Sequence, residues 1–167
     1  ENGTAVVTLS TTASGYTIQY KINSGEWLNL SDLGGENTGT NGTVSGLNHN
    51  DKITVRLTNG SQYGDEAETI IKDSIVPQVV ITANSKVTNS IGVSVKGSDK
   101  ESGMADSITY TYYIKKTSES NYVQKDSHTV RGETDTYTFS GLTQGTSYDI
   151  KVEVQGDKAG NKGTGTL

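Results

Sequence analysis

The sequence contains no cysteine and only one proline, one phenylalanine, one tryptophan and one methionine in 167 residues. Without cysteine there can be no disulfide, no thiolate metal site and no cysteine nucleophile. Small extracellular domains commonly rely on disulfides, so their absence favours a bacterial or cytosolic origin. Apolar residues are scarce at 31 %. No run of them reaches the length of a membrane span, and no stretch reads as a signal peptide. Basic residues number 14 against 19 acidic, a net charge of -5. That balance offers no footing for nucleic acid.

What is abundant is β-branched. Thr, Val and Ile fill 49 positions, whereas Leu and Ala together fill 14, a composition suited to pleated, half-buried surface. Tyr16, Ile18, Tyr20 and Ile22 alternate with Thr17, Gln19, Lys21 and Asn23. Ile108, Tyr110, Tyr112 and Ile114 alternate in the same way with Thr109, Thr111, Tyr113 and Lys115. A period of two over seven residues predicts strands with one face in a core. Asn23-Ser24-Gly25-Glu26 predicts a hairpin turn into a strand over Trp27-Leu28-Asn29-Leu30. No stretch shows helical periodicity.

The chain also repeats itself. Gly46-Leu47 is followed by Ile53, Val55 and Leu57, and Gly141-Leu142 by Tyr148, Ile150, Val152 and Val154, with matching offsets and the copies 95 residues apart. One sandwich domain fits each copy. Ala5–Leu9 matches Ile91–Val95, but Val79-Val80-Ile81-Thr82-Ala83 has no counterpart ahead of the first copy. The boundary falls near Asp73–Pro77, giving modules over 1–73 and 74–167, the first lacking its first strand. The missing strand, and an end at Leu167 within the last strand, are expected of a piece cut from a longer protein. The second core is expected to contain Val80, Ile91, Val93, Val95, Ile108, Tyr110, Tyr112, Ile114, Tyr137, Phe139, Leu142, Tyr148, Ile150, Val152 and Val154. The first is expected to contain Val7, Leu9, Ile18, Tyr20, Ile22, Val44, Leu47, Ile53, Val55 and Leu57, with an open sheet edge.

Gly141-Leu142-Thr143-Gln144-Gly145-Thr146-Ser147-Tyr148 resembles the E–F corner of a fibronectin type III domain. The resemblance implies that Leu142 is the buried corner leucine and that the Tyr148 hydroxyl bonds back to the chain. Gln144 stands where the family usually has proline, and Ile53 takes the tyrosine position in the first module. Ser98–Met104 and Asp157–Asn161 resemble loops of the Ig-like and fibronectin-like modules strung along large bacterial surface proteins. The implied fold is all-β: two consecutive antiparallel β-sandwiches of fibronectin III or Ig-like type. Such folds host many unrelated activities.

Convergent chemistry is thin. His49 and His128 read as solvated loop histidines, and no nucleophile elbow supports a Ser/His/Asp site around His128 and Asp126. No P-loop, HExxH or EF-hand spacing is present, and no cofactor is expected. The resemblance would place Asp99, Glu101, Asp106 and Asp157 in loops at one pole, near Asp73, where carboxylates suit calcium; the alternative is ordinary solvated acidic loops. Trp27, Tyr63, Tyr113 and Tyr122 break the inward alternation or sit in loops, as carbohydrate platforms do. Arg131-Gly132-Glu133 misses the integrin tripeptide by a methylene. The Asn2, Asn29, Asn41 and Asn59 sequons are at chance level in so Ser/Thr-rich a chain, and no lysine is placed for an isopeptide bond. The expectation is a monomeric, non-enzymatic spacer and adhesion segment of a secreted or wall-attached bacterial protein. The alternative is a module that binds glycans or host cell-surface proteins through those aromatics, with no membrane insertion.

Overall fold

β-Branched residues on alternating positions form thirteen strands in this computed structural model, which describes residues 5–167. They fall into two units, Glu1–Asp73 and Ser74–Leu167. In the first lie β1 (Ala5–Ser10), β2 (Thr17–Ile22), β3 (Leu28–Asn29), β4 (Asn41–Leu47), β5 (Lys52–Thr58) and β6 (Ala67–Ile70). The second holds β7 (Gln78–Val87), β8 (Ser90–Ser98), β9 (Met104–Lys116), β10 (Val123–Arg131), β11 (Thr134–Ser140), β12 (Tyr148–Asp157) and β13 (Lys162–Thr166). All pairings are antiparallel.

The second unit packs the sheet β11-β8-β7 against β10-β9-β12-β13. Its core takes Val93 and Val95 from β8, Ile108, Tyr110, Tyr112 and Ile114 from β9, and Ile150, Val152 and Val154 from β12. Each buried aliphatic side chain contributes about 1.5–3 kcal/mol. Val80, expected inside, is 51 % exposed. Cross-strand partners share a face. Ile81 faces Val95 and Val80 faces Lys96, so Val79 and Ile81 take the inward positions. Gly163 and Gly165 on β13 are inward too, because β7 crosses them closely: a Cβ on Gly163 would meet the Pro77 carbonyl, and one on Gly165 the Val79 carbonyl at 2.9 Å.

In the first unit β3-β2-β5-β6 faces a two-stranded sheet, β1-β4. Ile18, Tyr20, Val44, Leu47 and Ile53 are buried between them. Among the described residues nothing in this unit takes the place of β7. Val7 and Leu9 are consequently only half-buried, whereas Val93 and Val95 on β8 are closed off. A groove of about 240 Å³ lies there, lined in part by Leu9, Ile18, Val55, Leu57 and Ala67. The hairpin turn forms at Asn23, whose φ is 54°, but the strand beyond it stops at Asn29. Leu30, expected in that strand, instead opens a 3-10 helix over Leu30–Leu33 and is fully buried.

The corner is built twice on a left-handed glycine, Gly46 at φ 77° and Gly141 at φ 71°, each placing the next leucine against its core. In the second unit the Thr143 N–H donates to the Tyr148 hydroxyl at 3.0 Å. That bond holds the phenol below its ordinary pKa. Ile53 fills the corresponding place in the first unit with a buried aliphatic side chain.

Candidate functional site

The four aromatic side chains singled out in the sequence come together as two pairs, one in each unit, each gathered round a cation. In the first, register sets Gln19 opposite Arg56 on the outer face of β2 and β5. The Arg56 guanidinium lies 3.9 Å from the Trp27 ring and 3.9 Å from the Tyr63 ring. Its Nε donates to Gln19 Oε1 at 3.0 Å, and Lys21 Nζ stands 4.5 Å from the Trp27 ring. Tyr63 is the most open of these rings, at 59 % exposure.

In the second unit register sets Tyr113 opposite Lys151. Lys151 Nζ lies 4.0 Å from the Tyr113 ring and 5.5 Å from Tyr122, and Lys115 Nζ lies 5.4 Å from Tyr122. Tyr113 donates to Glu153 at 3.2 Å, and Glu153 also receives Lys151 at 2.9 Å and Lys162 at 3.1 Å. The Lys151 hydrogen bond, then that of Lys162, holds the Glu153 carboxyl below its ordinary pKa against the opposing pull of burial.

The two constructions share a repeated part, although Tyr113 takes the place of Gln19 and Tyr63 has no aromatic counterpart. Trp27 and Tyr122 each precede the strand paired to β2 or β9, and they are 95 residues apart; Arg56 and Lys151 are likewise 95 residues apart. Lys21 and Lys115 hold matching places, opposite Thr54 and Asp149. An aromatic ring is thereby braced over the outer face of each larger sheet by a basic residue of β5 or β12. Neither basic residue was singled out in the sequence, although the 95-residue repeat places them at equal offsets from Leu47 and Leu142. Cations stand 3.9–4.0 Å from the Trp27, Tyr63 and Tyr113 rings and 5.4–5.5 Å from Tyr122, contacts that hold the rings over the sheets.

His128 is not a solvated loop histidine. It lies on β10, with Nδ1 2.7 Å from Asp126 and Nε2 2.7 Å from Asp135 on β11. The Tyr112 hydroxyl donates to the same Asp135 oxygen at 2.7 Å, and its ring stacks on His128 at 5.9 Å. With a carboxylate on each nitrogen, the ring offers no open base to a nucleophile. His49 also has a defined partner, accepting the Asp73 N–H on Nδ1 at 3.0 Å.

Of the acidic loop residues, Asp99 and Asp157 bring carboxylate oxygens within 4.8 Å of each other, while Glu101 and Asp106 do not join them. Both aspartates shape their own loops, Asp99 through Oδ1 alone, its Oδ2 being buried without a hydrogen-bond partner among the described residues. Asp99 Oδ1 accepts the N–H groups of Glu101, Ser102 and Gly103 at 3.0, 2.8 and 2.9 Å. Asp157, 4 % exposed, accepts the Asn161 N–H at 2.6 Å and its side-chain amide at 2.9 Å. Of Arg131-Gly132-Glu133, Arg131 ends β10 and the other two connect it to β11.

Two antiparallel sandwiches with a tyrosine corner in the second define the fold: two consecutive β-sandwiches of fibronectin III or Ig-like type. A two-domain fibronectin type III segment of chicken tenascin superposes with a TM-score of 0.50 at 18 % identity, covering 100 % of this chain and 94 % of that one. The chicken interferon gamma receptor alpha chain is also similar, at a TM-score of 0.48 and 14 % identity, over 99 % of this chain and 96 % of that one. No family model and no curated protein sequence matches the chain.

Proposed function

We propose that this chain is a non-enzymatic structural spacer and adhesion segment of a multidomain bacterial extracellular protein. The observation that carries the reading is the repeated build: two units in series, each with its own core and its own braced outer face. Such modules work by holding other domains at a distance, and their requirement is resistance to unfolding rather than a reactive pocket. The absence of cysteine supports the bacterial setting, and the resemblance of the Ser98–Met104 and Asp157–Asn161 loops to those of bacterial surface modules supports the extracellular one.

A second reading, a module that binds carbohydrate or protein, is favoured by the exposure of Tyr63 beside Trp27 and Arg56. The test is binding of the purified, folded chain to an array of glycans and host matrix proteins. No saturable binding at high concentration is the expected result. A saturable ligand lost in Trp27→Ala or Tyr113→Ala would replace the spacer reading with recognition on that face.

A further inference from the structure

We infer that His128 is a proton-operated latch joining the two sheets of the second unit. β10 is the edge strand of one sheet and β11 the edge strand of the other. Between Asp126 on β10 and Asp135 on β11 the imidazole makes two contacts of 2.7 Å, one through each nitrogen. A neutral imidazole carries a single N–H, so only the imidazolium can donate to both carboxylates. Loss of the proton sets a nitrogen lone pair against an anion and breaks one contact.

The groups that face the ring are Asp126 from its own strand, Tyr112 from β9, and Asp135 from β11; Tyr137, also on β11, stacks on Tyr112 at 4.6 Å. Asp135 is 12 % exposed and fixed by the Tyr112 hydroxyl. Asp126 is 40 % exposed, only two residues away on the same strand, and free to turn to water. The hydrogen bond with Asp126 is the foremost cause raising the His128 pKa. Burial opposes it, and the charges of Asp135 and Asp126 add to it. The neutral ring can hold only one of the two carboxylates; release of Asp135, the contact that crosses between the sheets, is what the latch requires, and the β11 amides report it.

The folded pKa lies above the unfolded value near 6.5. The latch therefore contributes fully below pH ~6.5, and its contribution is lost as pH rises through the folded value. The ratio of folded to unfolded chain falls about tenfold for each unit by which the folded pKa exceeds the unfolded one.

The test follows the His128 ring and the backbone amides of Asp135–Tyr137 by NMR in the intact chain from pH 5 to 9, and urea unfolding at pH 6 and 8.5. The His128 ring is expected to titrate above the ordinary histidine value, with the β11 amides moving at the same midpoint. Stability of the second unit is expected to be higher at pH 6 than at 8.5, a difference abolished in His128→Gln. Asp135→Asn, which keeps the ring and removes one anion, should bring the titration down toward the ordinary value even if His128→Gln fails to fold. An ordinary titration in the unaltered chain, β11 amides indifferent to it, or an unmoved midpoint in Asp135→Asn would each overturn the latch.

Discussion

Removing one oxygen from each of two neighbouring core tyrosines is expected to change stability very unequally. Tyr110 and Tyr112 stand two residues apart on β9, and both are fully buried. The Tyr112 hydroxyl donates to Asp135 at 2.7 Å. A hydrogen bond to a charged group is worth about 1.5–3 kcal/mol, and Tyr112→Phe keeps the ring stacking on Tyr137 at 4.6 Å. That variant should therefore lose about 1.5–3 kcal/mol, one to two powers of ten in the unfolding equilibrium. The Tyr110 hydroxyl is buried and makes no well-formed hydrogen bond: the one donor that pulls on it, the Gly97 N–H, is given to the Glu133 carbonyl at 2.9 Å. Burial raises its pKa to about 12. Deleting an unsatisfied hydroxyl removes a desolvation cost, so Tyr110→Phe should be neutral or stabilising by up to about 1 kcal/mol. Urea unfolding near pH 6, with His128 protonated, measures both. A Tyr112→Phe loss no larger than that of Tyr110→Phe would refute the hydrogen-bond accounting.

The Arg56→Ala variant should destabilise the first unit by about 1–2 kcal/mol, since it removes two ring contacts and the bond to Gln19; the second unit's unfolding transition should not move. Gly163→Ala should cost about 1–3 kcal/mol in the second unit through collision with the Pro77 carbonyl, while Thr164→Ala, on the exposed face of the same strand, should be near neutral in the same melt. Glu153 has its pKa lowered in the fold, so its contribution is present above an unfolded value near 4.5 and lost as pH falls through the folded one. A Glu153→Gln chain should show a shallower loss of stability on acidification than the unaltered chain.

The alternations over Ile18–Ile22 and Ile108–Ile114 were legible because a strand with one buried face must repeat every two residues. Val80 misled because three apolar residues in succession, Val79-Val80-Ile81, leave the phase open, and only the pairing of Ile81 with Val95 settles it. Nothing in the sequence around Leu30 marks the switch from strand to a 3-10 turn. Arg56 and Lys151 are not legible as ring partners because an outward basic residue on a strand ordinarily faces water, and the Trp27 and Tyr122 rings reach them from loops. The partners of His128 are the least legible feature. Asp135 is only seven residues away, but it reaches the imidazole from the opposite sheet, and sequence spacing carries no record of contacts made across a sandwich.

The spacer reading rests on two units that each resist unfolding by themselves, and pulling single molecules by their two ends tests it most directly. Two separate rupture events are predicted, releasing about 230 Å of chain from residues 5–70 and about 310 Å from residues 78–166, at roughly 3.5 Å per residue. A single event releasing both lengths together, or extension without measurable resistance, would contradict the account.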